Sequence, residues 1–216
     1  MNVIIFGPPG AGKGTQSDFI VSKYNLFQLS TGSLLRQEIK NKSEIGLKIE
    51  KTIKMGNLVP DDIVSNLVEN IVSDKKYKNR IIFDGYPRNL SQAKALDELL
   101  IKYQQKVNLA LNLKTKLETI TKRISGRFSC SKCGKIYNKF FNPPPKKKEC
   151  CFDEFLIRRD DDNIDVATKR FNTYEKQTEP VLDFYKKKKL LKEVDGESSI
   201  DKIYKEISGI IDLIEA

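Results

Sequence analysis

Apolar residues recur along this chain in two rhythms, as short unbroken runs and as positions spaced by three and four, and the two rhythms alternate. Val3-Ile-Ile-Phe6 is the first run and predicts a buried strand. A glycine-rich turn comes next, then a helix from about Gly14 to Tyr24, with Phe19, Ile20 and Tyr24 at helical spacing. Leu26-Phe-Gln-Leu29 predicts a second short strand, and Ser30 or Thr31 is suited to N-cap a helix after it. Helical, charged segments run to Met55 and are closed by Gly56-Asn-Leu-Val-Pro60. Asp61-Asp62 is read as the cap of a helix carrying Ile63, Leu67, Val68 and Ile71. Ile81–Phe83 predicts a buried parallel strand ending at Asp84, with a helix from Ser91, a strand over Val107–Leu113 and a helix over Leu117–Ile124. At Gly126 the pattern changes to cysteines, Pro143-Pro-Pro145 and Lys146–Lys148, which reads as an insertion. Helical periodicity resumes after Asp162, Leu190–Val194 predicts a last strand, and an amphipathic helix spans about Ser199–Ile214. No internal repeat is present. Strands alternating with helices predict an α/β fold with a doubly wound parallel sheet.

A chain of 216 residues, 39% hydrophobic and 31% charged, suits one substantial α/β core with insertions. Nothing approaches a run of about 18 apolar residues. The glycine-rich turn begins at residue 7 and leaves no room for a cleavable signal peptide, so a cytoplasmic protein is expected. The net charge of +10 raises a nucleic-acid reading. However, Lys, Ile and Asn are abundant throughout, and aromatics do not interleave with the Lys146–Lys148 and Lys186–Lys189 runs as a strand-binding groove requires. Neither nucleic acid nor membrane is expected as a partner. Histidine is absent, so the chemistry must run on Lys, Arg, carboxylates and backbone. Phosphoryl transfer fits, because it depends on positioning and charge neutralisation more than on a proton shuttle.

Gly7-Pro-Pro-Gly-Ala-Gly-Lys13-Gly-Thr15, directly after the first strand, has the composition of a phosphate cradle. Its glycines let backbone N–H groups turn inward on an anion, and the next helix aims its unpaired N–H groups at the same place. Gly14 occupies the position where a standard P-loop carries its metal-binding hydroxyl, which shifts to Thr15. Metal must then be held differently. Asp84, a carboxylate at the C-terminal edge of a buried strand, stands where ligands of open α/β sheets collect. Arg36 and Arg88 suit a dianionic phosphate, because a guanidinium grips two oxygens at once. Lys13, Arg88, Arg123, Arg127, Arg159 and Arg170 are the candidates to neutralise a phosphoryl group in flight, with Arg158 the neighbouring alternative to Arg159. Arg123 and Arg127 share one helix face if that helix reaches residue 127.

Cys130-Ser-Lys-Cys133 is a metal knuckle, and Cys150 comes after sixteen intervening residues. This spacing favours structural Zn²⁺ over a disulfide. Asp153 keeps a two-residue gap from Cys150 and completes a Cys₃Asp set; Cys151 is the alternative fourth ligand.

Taken together, Gly7–Thr15, Ser30-Thr-Gly-Ser-Leu-Leu-Arg36, Asp84-Gly-Tyr-Pro-Arg88, the four-ligand insertion and Arg159-Asp-Asp-Asp-Asn163 resemble the adenylate kinases of the bacterial, long, zinc-lid type, from Met1 to the C-terminal helix. The resemblance implies Mg²⁺-dependent transfer from ATP to AMP giving two ADP, by a monomer. The core would comprise residues 1–29, 60–125 and 163–216, with an AMP-binding insertion over 30–59 and a zinc-binding lid over 126–162. ATP would be bound by Gly10, Ala11, Gly12, Lys13, Gly14, Thr15, Arg123, Arg127, Ile136, Tyr137 and Ser198. AMP would be bound by Thr31, Arg36, Asn57, Leu58, Val59, Gly85, Tyr86, Pro87, Arg88, Gln92, Arg159 and Arg170. Asp84 would hold Mg²⁺ through water. Ser33 departs from the family pattern, which usually has Asp there. A pyrimidine monophosphate kinase generally has a short lid, and a zinc-ribbon ATPase would carry a hydroxyl directly after its Lys; the chain matches neither.

Overall fold

A computed structural model describes residues 1–144, 153–159 and 161–215. Its strands are β1 (Val3–Phe6), β2 (Phe27–Ser30), β3 (Ile81–Asp84), β4 (Leu109–Lys114), β5 (Arg127–Cys130), β6 (Ile136–Asn138), β7 (Leu156–Ile157) and β8 (Leu191–Asp195). Its α-helices are α1 (Lys13–Tyr24), α2 (Thr31–Lys40), α3 (Glu44–Lys54), α4 (Asp61–Val72), α5 (Leu90–Lys102), α6 (Leu117–Ser125), α7 (Ile164–Thr173), α8 (Glu179–Lys187) and α9 (Ile200–Glu215). A π-turn over Tyr174–Thr178 joins α7 to α8.

Five strands form a wholly parallel sheet in the order β2-β3-β1-β4-β8. Alternate residues of each strand feed opposite cores. Ile4, Phe6, Ile81, Phe83 and Ala110 pack with Val64 and Val68 of α4, Leu96 and Leu100 of α5, and Val181 and Tyr185 of α8. Val3, Ile5, Ile82, Leu109 and Leu111 pack with Ile20 of α1 and Ile203, Ile207 and Ile211 of α9. Cover on both faces is why these strands are unbroken apolar runs rather than alternating ones. The chain leaves β1 towards β2 on one side and returns from β3 to β4 on the other. The crevice outside the carboxyl ends of β1 and β3 is therefore the switch point where ligands of such sheets bind. In-register pairing of Ile5 and Ser30 with Asp84 brings these strand ends level.

The region after Gly126 reads in sequence as an insertion lacking helical pattern, and it forms a separate antiparallel sheet in the order β6-β5-β7. Among the described residues its core is Cys130 and Tyr137, with Phe155 and Leu156 packed against them. Three local expectations are corrected. Helix α6 stops at Ser125, so Arg127 lies on β5 and shares no helix face with Arg123. Pro60, not an aspartate, is the N-cap of α4, and Asp61 and Asp62 lie in the first turn, where negative charge suits the helix dipole. Ser30 occupies the N-cap of α2 but its side chain makes no capping bond.

Candidate active site

The first βα connection places the phosphate loop at the carboxyl edge of β1. Gly12, the N-cap of α1, has φ +98°, a left-handed conformation open to glycine. No side chain caps α1 there, so its first N–H groups face the crevice. Lys13 folds back over the loop, and its Nζ donates to the carbonyls of Gly7 at 2.7 Å and Pro8 at 3.0 Å. Arg123 ties the loop to the turn after β8, its two Nη atoms donating to Ala11 O at 3.1 Å and Gly196 O at 2.8 Å.

The loop after β3 is held equally closely. Gly85 has φ +76°, and a Cβ there would sit 3.3 Å from both the Arg88 guanidinium and the Thr31 hydroxyl. The Gly85 carbonyl accepts from Thr31 Oγ1 at 2.9 Å and Arg88 Nε at 2.8 Å. Arg88 is fixed through its backbone as well, its N–H donating to Gln92 Oε1 at 2.7 Å and its carbonyl accepting from Thr178 Oγ1 at 2.8 Å. Asp84 accepts from Gln28 Nε2 at 3.1 Å.

These loops, the small sheet and the start of α9 enclose a cleft of about 890 Å³. It brings together Gly10–Thr15, Thr31, Arg36, Asn57–Val59, Asp84, Gly85, Tyr86, Arg88, Gln92, Arg123, Arg127, Ile136, Tyr137, Arg159, Arg170 and Ser198. Pro87 is not among the lining residues. Arg158 is not either; its guanidinium sits 5.1 Å from the Phe128 ring centroid, which leaves Arg159 as the arginine of this pair that faces the cleft.

Among the described residues, seven basic side chains line the cleft against four carboxylates, Asp18, Asp84, Asp161 and Asp201. Part of the charge is tied up: Arg127 donates to Asp162 Oδ2 at 2.9 Å and also pairs with Oδ1, and Arg170 pairs with Asp161. The crowding shows in the titration. Burial, opposed by Asp84 and reinforced by Arg88, Arg170 and Arg127, lowers Lys13 to about 8. Burial, with Arg170 and Arg36 adding repulsion, lowers Arg88 to about 10, and burial with Arg127 and Arg36 lowers Arg159 to about 9. Burial also lowers Arg36 and Arg170. Desolvation works to raise the carboxyl of Asp161, yet Arg170, Arg127, Arg36 and Arg159 together hold it below its ordinary value. Such a cluster is complementary to a group carrying several negative charges.

A family model described as adenylate kinase matches residues 5–190. The chain belongs to the adenylate kinase family. It is 46% identical to an adenylate kinase of Pelagibacter ubique over 211 residues, covering 98% of this chain and 99% of the relative. It is 44% identical to one from Chloroherpeton thalassium over 213 residues, covering 98% of each, and 43% identical to one from Fusobacterium nucleatum over 211 residues, also covering 98% of each. The enzyme is an adenylate kinase by activity, a phosphotransferase of the nucleoside monophosphate kinase class.

Of the expected zinc ligands, Cys130 and Cys133 bracket the turn that follows β5. Cys130 closes β5, its N–H donating to Lys135 O at 2.9 Å while its carbonyl accepts from Gly134 N at 2.9 Å. Ser131 N donates to Phe155 O at 2.7 Å, so the backbone of the turn that begins at Asp153 lies beside the Cys130–Cys133 turn. Cys150 and Cys151 lie outside the described residues, as does the side chain of Asp153. Among the described residues no group of three or more His, Cys, Asp or Glu stands ready for a metal. No helix among them is long and apolar enough to cross a membrane.

Sequence reading missed several contributors. Asn138 holds the end of β6, donating to Arg123 O at 2.6 Å and accepting from Phe140 N and Phe141 N. Phe140 and Phe141 present half-exposed rings at the cleft mouth, with Arg123 5.4 Å from the Phe141 centroid. Gln28 and Asp61 act through hydrogen bonds to Asp84 and Gln92. Their partners are distant in the chain, and no local pattern marks them.

Proposed function

We propose that this cleft holds ATP and AMP together and moves the γ-phosphoryl directly between them, giving two ADP. The observation that carries the reading is the convergence of Lys13, Arg36, Arg88, Arg123, Arg127, Arg159 and Arg170 on one cleft that opens at the phosphate loop. The ATP phosphates lie on the N–H groups of Gly10–Thr15, with Lys13 swinging from the Gly7 and Pro8 carbonyls to the transferred group. Arg123, Arg127, Ile136, Tyr137 and Ser198 surround the rest of ATP, and the Phe141 ring offers its base a stacking face. AMP lies against Thr31, Asn57–Val59, Gly85, Tyr86, Arg88 and Gln92, its phosphate gripped by Arg36 and Arg88, with Arg159 and Arg170 closing on the phosphoryl between the two nucleotides. No general base is required, because the attacking AMP phosphate is already anionic at neutral pH.

Asp84 supplies a hard oxygen donor beside the phosphate loop and suits Mg²⁺ held through its water shell. Held there with ATP, Mg²⁺ would supply positive charge to offset that of the phosphates. Cys130 and Cys133 on their tight turn, with Cys150 and Asp153, would hold a structural Zn²⁺. The juxtaposition of residues 131 and 155 supports this set, and the core that the described residues of the small sheet form is slight for fixing its shape unaided. Residues 30–59 and 126–162 act as an AMP-side flap and an ATP-side lid on a core of 1–29, 60–125 and 163–216, in a cytoplasmic monomer. Their closure excludes water from the reacting phosphates.

An acceptor panel tests the reading. With ATP as donor, transfer to AMP should exceed transfer to UMP, CMP and GMP by at least about a hundredfold in kcat/KM, roughly 2.7 kcal/mol of barrier. Without acceptor, phosphate release should stay below a few per cent of that turnover. Comparable efficiency with UMP or CMP would reject the acceptor assignment, and rapid hydrolysis would reject closure.

A further inference from the structure

Gln92 is almost wholly buried at the AMP end of the cleft, only 2% exposed, yet it lines that cleft. Both ends of its amide are engaged. Oε1 accepts from the backbone N–H of Arg88 at 2.7 Å, and Nε2 donates to Asp61 Oδ1 at 2.7 Å. A backbone N–H can only donate and an ionised carboxylate can only accept. Turning the amide over would set NH₂ against N–H and oxygen against carboxylate. The donor and acceptor ends of Gln92 are therefore fixed by chemistry from two sides.

Asp61 is itself held. Asn89 Nδ2 donates to both its oxygens at 3.1 Å, while Asn89 Oδ1 caps α5 by accepting from Gln92 N at 2.8 Å. Asp61 is not among the residues lining the cleft, so it touches substrate only through Gln92.

We infer that Asp61 is a positioning residue that sets which base the acceptor site takes, by locking the polarity of the Gln92 amide. The inference rests on the reading of Gln92 as a base contact. After its two internal bonds, Gln92 retains one N–H and one oxygen lone pair. That pair complements a base edge with an amino donor beside a ring-nitrogen acceptor, which is the 6-amino purine edge. A 6-oxo purine presents the reverse, a carbonyl acceptor beside a ring N–H donor. It could be paired only by turning the amide over against Asp61 and the Arg88 N–H. Sites that reject a base in this way do so because buried polar groups would be left opposed or unpaired.

The test is the ratio of kcat/KM for AMP to that for IMP, in the intact enzyme with saturating Mg·ATP, for three variants. Asp61→Asn keeps the shape, but its own amide can turn to accept or donate, so the Asp61 side of the lock is lost and only the Arg88 N–H still holds the polarity. The ratio should fall at least tenfold, with IMP gaining and KM for AMP rising while KM for ATP stays within twofold. Asp61→Ala should shift the ratio in the same direction. Gln92→Ala should collapse it. A fall in kcat with every acceptor at an unchanged AMP-to-IMP ratio in Asp61→Asn, with circular dichroism showing a folded protein, would mean that Asp61 serves only to hold the fold, and would overturn the inference. If Gln92→Ala also left the ratio unchanged, the assignment of Gln92 to the base site would fall. A Gln92 effect without an Asp61 effect would sink the polarity lock alone.

Discussion

Lys13 is the residue at which burial and function pull hardest against each other. Its ammonium is desolvated and faces three arginines, and its pKa falls from 10.5 to about 8. In the stability balance the sign is unfavourable below that value. The unfolded chain keeps the proton up to about pH 10.5, so the folded state carries the cost of the buried charge in full below pH 8, and the cost is lifted as pH rises from about 8 to 10.5. The charge is kept because a polyphosphate needs it. The expected outcome is that kcat/KM for ATP, which reports the free enzyme, falls with a slope of one proton above about pH 8, whereas kcat, measured with the triphosphate in place, holds to higher pH. A kcat/KM for ATP that stays flat from pH 7 to 10 would contradict the role of the ammonium.

Residue-level legibility tracks the range of the interactions. The Gly7–Thr15 string is readable because each residue's reason is local: a turn, a helix start, a charge. The resemblance, through the family's spacing of Arg, one residue and Asp-Asp-Asn, selects Arg159 over Arg158, and of the two Arg159 lines the cleft. Asp61 misleads as a sequence signal. A carboxylate after Pro60 looks like a cap, but its partners Asn89 and Gln92 are about thirty residues away, and only the folded chain brings them together. Arg123 is similar, since its anchors are the Ala11 and Gly196 carbonyls, which carry no side-chain signature.

At the scale of elements, the buried strands and long helices are legible because an unbroken apolar run or a 3.6-residue period repeats the same information several times. Gly126 ends α6 one residue after Ser125, and a glycine there is a stop signal that outweighs the spacing of Arg123 and Arg127. The strands of the small sheet, two to four residues each, are too short to show a period. Purified enzyme should contain one tightly bound Zn²⁺ per chain, because such ions contribute on the order of 10–16 kcal/mol of binding free energy in small modules. Chelation should lower the melting temperature and raise KM for ATP more than KM for AMP, while circular dichroism retains the signal of the parallel-sheet core. Asp153→Ala should weaken zinc retention and Cys151→Ser should spare it. The reverse pattern would reassign the fourth ligand, and zinc missing from both native and zinc-reconstituted protein would remove the site.

The whole molecule is arranged around one electrostatic problem. The parallel sheet supplies the level strand ends of β1, β2 and β3. Segments from α2, the loop after β3, α6, β5 and α7 then each bring at least one cation to the same cleft. Asp161 and Asp162 keep two of these arginines paired, which lowers the cost of gathering so many like charges before substrate arrives. The measurement that tests this account most directly is steady-state ADP formation from ATP and AMP by Arg88→Ala and Lys13→Met, each shown folded by circular dichroism. Both lose positive charge where the phosphoryl charge develops, and kcat should fall by about 10³-fold or more, roughly 4 kcal/mol of barrier. Turnover by either folded variant within about tenfold of the parent enzyme, roughly 1.4 kcal/mol, would contradict the claim that this cluster carries the transfer.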